Sequence, residues 1–224
     1  MNYQFSILAC AAVIVFSTSA YSEIRSISEI DRDFFSSGAG NDYVFDSGDT
    51  AKSCNDFFEK FKSEGSPALN AGGRNKATYS SALSECLIQS EYETPKINSA
   101  IVGIEESKID SLPELLPADF LLAISDESIA TRSELIHEKR TLKQADPTIF
   151  YVKKDDESYL FKDGGGAFYN FTLFGSFEYA DEGRLYVVNV ENNLDGGSYN
   201  SSRYFILKKN NNEAFEIRKS IKVF

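Results

Sequence analysis

Apolar positions follow three rhythms along the chain, and each predicts a different element. The first is a nearly unbroken run from Phe5 to Phe16, through Ile7, Leu8, Ala9, Cys10, Ala11, Ala12, Val13, Ile14 and Val15. Its length suits a secretory hydrophobic region and is too short for an ordinary spanning helix. Small residues follow, with Ala20 and Ser22 in the positions a signal peptidase reads, so residues 1–22 are expected to be a signal peptide cleaved before Glu23. Cleavage after Ala20 is the near alternative. No Lys or Arg precedes the run, so a buried N-terminal helix, an uncleaved anchor or a lipoprotein acylated at Cys10 competes with that reading.

Residues 23–48 are rich in Ser, Gly and Asp with short apolar pairs such as Phe34-Phe35, and are expected to form an irregular acidic lead-in. The second rhythm, three- and four-residue steps, starts at Asp49 or Thr50, either of which can cap a helix. It carries Ala51, Cys54, Phe57, Phe58 and Phe61 on one stripe before Gly65 and Pro67 stop it. Gly72-Gly73 leads to a second stripe of Tyr79, Leu83, Cys86, Leu87 and Ser90 that ends before Pro95. A cysteine lies on each stripe, so a helical hairpin stapled by Cys54 and Cys86 is expected. Further on, Thr131-Arg132-Ser133-Glu134 has capping-box form, and Leu135, Ile136 and Leu142 predict a third helix ending before Pro147.

The third rhythm is alternation. Beyond Pro147 it predicts strands at Ile149 to Lys154, Tyr159 to Lys162, Phe168 to Tyr179, Leu185 to Glu191, Tyr204 to Lys209 and Ala214 to Val223, separated by Gly-, Asp- and Asn-rich turns. Sixteen of the 30 aromatic residues lie in this part, as a sheet with an apolar face requires. The expected fold is α+β: a helical region over 49–146 packed on one face of an antiparallel sheet of five or six strands over 147–224, the other face solvated, in one compact domain.

Charge and composition narrow the chemistry. Of 224 residues, 23 are Lys or Arg and 34 Asp or Glu, a net charge of -11. That argues against nucleic acid and anionic membranes as partners, because affinity for either comes from neutralising phosphates. The last 22 residues reverse the balance, with six basic groups (Arg203, Lys208, Lys209, Arg218, Lys219, Lys222) against two acidic ones. If Cys10 leaves with the leader, Cys54 and Cys86 are an even pair in an oxidising compartment, where a bridge is the default. Two thiolates and the distant His137 lack zinc-site spacing. Gly38-Ala39-Gly40-Asn41-Asp42 resembles one turn of a calcium-binding β-roll, but it occurs once and has no neighbouring turn to complete the coordination. A calcium loop from Asn41, Asp42, Asp46 and Asp49 has oxygen ligands without EF-hand spacing. The triplets at Asn170 and Asn200 are glycosylation sequons only in a eukaryotic secretory pathway.

Catalytic patterns are missing. There is no Gly-x-Ser-x-Gly elbow, His137 is the one histidine, and Gly164-Gly165-Gly166 precedes a strand, so it reads as a turn and not a phosphate cradle. No metal or cofactor is expected. The connection from Asn192 to Ser202 is long for a hairpin, and its Asp195, Gly196, Gly197, Tyr199 and Asn200 are the candidate binding residues for a protein or glycan. The sequence thus leads to a secreted or periplasmic acidic binding protein, an inhibitor or protective protein for a basic secreted partner. An Asp/Glu-dependent envelope hydrolase and a structural surface component are the alternatives.

Overall fold

The computed structural model describes residues 24–69, 76–92, 110–155, 158–196, 200–211 and 214–222. The fold is α+β, and its main sheet is antiparallel throughout. The signal peptide expected at residues 1–22 lies outside the described residues. Among those described, no helix is long and apolar enough to cross a membrane.

The lead-in is not irregular. Ser26 caps α1 (Ile27–Ile30) by accepting from the Glu29 amide, while the Glu29 carboxylate accepts from the Ser26 amide at 2.8 Å. The helix continues as a π-helical stretch over Asp31–Phe35, in which the neighbours Phe34 and Phe35 are both buried and meet edge to face at 5.1 Å. A 3-10 turn (Ala39–Asp42) and β1 (Tyr43–Val44) follow, and β1 pairs with β2 (Ala68–Leu69). The buried anchors Ile24, Ile30, Phe34, Phe35, Tyr43 and Phe45 come from several short elements, so no single period marks them.

The expected hairpin is present as α2 (Cys54–Glu64) and α3 (Lys76–Tyr92), joined by the Cys54–Cys86 disulfide with Cα atoms 5.4 Å apart. The cap of α2 is Ser53, later than Asp49 or Thr50. Ser53 accepts from the Asp56 amide, the Asp56 carboxylate accepts from the Lys52 amide at 2.9 Å, and Asp31 accepts from the Cys54 amide at 2.6 Å. One local carboxylate and one from the π-helical stretch therefore fix the start, and Gly65 ends the helix as expected.

Six strands run in sequence order: β3 (Phe150–Asp155), β4 (Ser158–Lys162), β5 (Ala167–Tyr179), β6 (Gly183–Leu194), β7 (Asn200–Lys209) and β8 (Phe215–Ile221). The expectation of helices on one face only is corrected. α1 to α3 cover a front face bearing Phe174, Phe177, Leu185, Val187, Tyr204, Ile206 and Ile221. Residues 110–149 cover the back face elsewhere, packing on Phe161, Tyr169, Phe171, Val188, Val190, Phe205 and Leu207. A bulge between Leu173 and Gly175 lets β5 serve both cores: Ala167, Tyr169 and Phe171 bury behind, Phe174 and Phe177 in front.

The back cover comprises α4 (Leu112–Leu115), a 3-10 turn at Ala118–Phe120, α5 (Asp126–His137) and α6 (Leu142–Ala145). The third helix differs from its expected form. Ser125 forms a capping box with Ser128, so Thr131 lies inside α5. Leu142 belongs to the separate α6, capped by Thr141 with Gln144. Lys139, at φ 55°, breaks the chain between them. Phe120 anchors this cover, its ring 4.5 Å from Phe205 and 5.5 Å from Phe171.

Candidate functional site

Of the candidate binding residues, Asp195 and Gly196 lie in the β6–β7 turn and Asn200 begins β7, so the connection is shorter than expected. β6 extends to Leu194 and β7 begins at Asn200, with Asn192 opposite Ser201 and Asn193 opposite Asn200. The eleven-residue connection from Asn192 to Ser202 is therefore corrected to the link 195–199. Asn and Ser residues that suggest a turn carry strand pairing instead: the Asn189 amide donates to Ser202 Oγ at 2.8 Å across β6 and β7, and the buried Asn192 amide donates to the Phe120 carbonyl of the back cover at 3.1 Å while its Oδ1 has no partner. Asp195 and Gly196 are exposed in the turn. Gly197, Tyr199 and the side chain of Asn200 lie outside the described residues.

A second turn holds the first. The Asp195 amide donates to the Gly166 carbonyl at 2.9 Å, and Gly166, at φ 87°, takes a conformation most residues avoid. Asp163, nearly buried, organises the Gly-rich turn by accepting from the Gly165 and Ala167 amides at 2.9 and 2.8 Å and from the Tyr169 hydroxyl at 3.1 Å. Burial, reinforced by the Asp163 carboxylate, drives the Tyr169 phenol far above its usual range, so it remains a donor. Thr148 Oγ1 accepts from the Gly164 amide at 2.8 Å and donates to Asp146. Strand ends and turns here form one hydrogen-bonded edge.

Lys162 connects this edge to the half of the front face that no described helix covers. Its Nζ lies 3.0 Å from an Asp195 carboxylate oxygen and 4.6 Å from the centroid of the Phe168 ring. Phe150 is the register partner of Lys162, and Phe168 pairs with Lys162 from the other side. The same surface holds Leu160, Asn170, Thr172 and Asn193, and none of these side chains is buried. Phe150 is 53% exposed, and Val152 at the β3 bulge is 43% exposed. An aromatic, amide-rich sheet surface flanked by Asp195 and Glu191 can bind a partner through stacking and hydrogen bonds. The remaining exposed large apolar side chains among the described residues, Ile124, Ile129 and Ile136, lie on or beside α5. Sequence reasoning missed the open surface because Phe150, Leu160 and Phe168 look like ordinary strand residues until the helices are placed.

Other candidates are dispersed. Asp49 pairs with Lys60 at 3.2 Å, and among the described residues no group of three His, Cys, Asp or Glu side chains is placed to hold a metal ion. His137 is exposed at the end of α5. Burial raises the pKa of the Asp119 carboxyl, and the charges acting on it are Arg203 and Arg132, which oppose that rise, with no second carboxylate. No family model, curated protein or solved structure matches the chain.

Proposed function

We propose that the protein is an acidic binding protein of the periplasm or extracellular space, and that the open front surface around Phe150, Lys162 and Phe168 meets its partner. The observation that carries this reading is the half of the front sheet face that no described helix covers, with unburied aromatic and amide side chains beside the Asp195 turn. The Cys54–Cys86 bridge accords with an oxidising compartment. A net charge of -11 favours a partner with a basic surface, since opposite fields speed encounter and like fields suppress it.

The test is copurification from the compartment in which the protein accumulates, with wild type and the Phe150→Ala/Phe168→Ala variant as parallel baits. A specific partner should be basic, and the variant should hold it at least about tenfold more weakly, because exposed aromatic anchors dominate such contacts. Its association with the wild-type protein should slow as salt rises. A partner held equally by both baits would remove the open surface from the proposal, and turnover of glycans by the purified protein would replace it with the hydrolase reading.

A further inference from the structure

Far from the Asp195 turn, where α2, α3 and the edge strand β8 meet, the surface opens into a cavity of about 200 Å³. Its origin lies in an apolar stripe wider than the core can absorb. On α2, Cys54 and Phe57 are fully buried, but Phe58 and Phe61 are only partly so and line the cavity. Leu87 of α3 and Ile221 of β8, both buried, complete the apolar lining.

The mouth carries the opposite sign to the molecule. Among the described residues, Lys62, Lys219 and Lys222 line it together with one carboxylate, Glu91, in a chain of net charge -11. Each lysine follows from local structure. Lys62 is one helical turn beyond Phe58 and holds its ammonium 4.8 Å from that ring's centroid. Lys219 shares the front face of β8 with Ile221 and pairs with Glu91. Lys222 follows the strand end and is exposed. Glu91 engages Lys219, and Glu59, one turn before Lys62 on α2 and outside the lining, lies 3.3 Å from the Lys62 ammonium, so the described lining residues themselves carry three cations against one carboxylate.

We propose that this cavity binds a small monocarboxylate with a short apolar tail. The tail lies against Phe58, Phe61 and Leu87, and the carboxylate faces Lys62 and Lys222 while Glu91 keeps Lys219 in place. An apolar floor with a cationic mouth satisfies both ends of such an amphiphile: the tail leaves water and the charged head does not enter the apolar floor. The cavity is smaller than the roughly 300–1,000 Å³ of sites for drug-sized ligands, which restricts the tail to a short alkyl or aryl group. Cations are disfavoured by like charge, and a neutral alcohol would bury the same tail without the lysine contribution.

Octanoate is a direct probe, with octylammonium and octanol as matched controls, titrated calorimetrically into the intact disulfide-bonded protein while backbone amide shifts are followed by NMR. Octanoate should bind saturably at one site, shift the amides of Phe61, Leu87 and Ile221, and weaken with salt. The Lys62→Gln/Lys222→Gln variant should bind it at least about tenfold more weakly with an unchanged melting temperature, because both side chains are exposed. Phe150→Ala should bind octanoate as wild type does, which separates this cavity from the open front surface. Equal affinity for octanol or octylammonium, unaltered affinity in the lysine variant, or no saturable octanoate binding would each overturn the proposal.

Discussion

Glu85 shows how a buried carboxylate is made tolerable. Its oxygens accept from the Arg25 amide at 3.1 Å, from Arg25 Nε and Nη2 at 2.9 and 3.2 Å, from Ser81 Oγ at 3.0 Å and from the Tyr204 hydroxyl at 3.3 Å. Ser81 Oγ and the Tyr204 hydroxyl also share a hydrogen bond of 2.6 Å. The network binds the first described residues to α3 and to the centre of β7, and burial drives the Tyr204 phenol well above its usual range, so it stays protonated as a donor. Glu85→Ala removes the common acceptor, strands the Arg25 amide and guanidinium, and leaves Ser81 and Tyr204 only each other. Arg25 is a third exposed and can partly rehydrate, so the expected loss is about 2–4 kcal/mol in urea unfolding, at the lower side of a broken buried pair. Tyr204→Phe, which leaves Ser81 and Arg25 on the carboxylate, should cost about 1 kcal/mol. A Glu85→Ala protein within about 0.5 kcal/mol of wild type, the ordinary range for a surface change, would show the network to be energetically idle. Nothing in the sequence marks Arg25 as the partner of Glu85, because the two are 60 residues apart and ion pairing has no periodicity.

At the scale of elements, what could be read from the chain was whatever repeats at the period of its own structure. Cys54 and Cys86 lie on apolar stripes, and both are fully buried where α2 and α3 meet. The chain-entropy account assigns their bridge about 3–4 kcal/mol. Reduction under native conditions should therefore lower the urea-derived stability by that amount and abolish the difference from a Cys54→Ala/Cys86→Ala variant. Two titratable thiols in unreduced, unfolded protein would show that the bridge does not form. The strands were legible from alternation, but their ends were not where Asn and Ser carry the pairing. Asn192 is buried among aromatic neighbours and still lies in β6, held by the Phe120 carbonyl. The start of α5 was hidden for a related reason. Two capping patterns compete within ten residues, and the Ser125 box prevails with Asp126 and Glu127 in the first turn, where the helix dipole favours them. The turn at Asp195 was located correctly, whereas the open surface beside it depends on which half of each face the helices cover, a tertiary fact without a local signature.

The whole molecule turns on four strands, β5 to β8, that serve two cores. On β7, Tyr204 and Ile206 point to the hairpin side while Phe205 and Leu207 point to the back cover. On β6, Leu185 and Val187 oppose Val188 and Val190 in the same way. The bulge in β5 moves its aromatic side chains from one core to the other along a single strand. Neither core can lose its packing without exposing the reverse side of strands on which the other depends, so the two should unfold as one cooperative unit despite their separate helical covers. Ile206→Val, confined to the front core, should cost about 0.5–1.5 kcal/mol, and Phe205→Ala, confined to the back core, about 3–5 kcal/mol. Each should shift one unfolding transition without broadening it. Native-state hydrogen exchange supplies the sharper check: the most protected amides of α3 in front and of β4 behind should lose equal free energy in the Ile206→Val protein. If the loss were confined to α3 and its neighbours while β4 kept its wild-type protection, the cores would be separate folding units joined through a passive sheet.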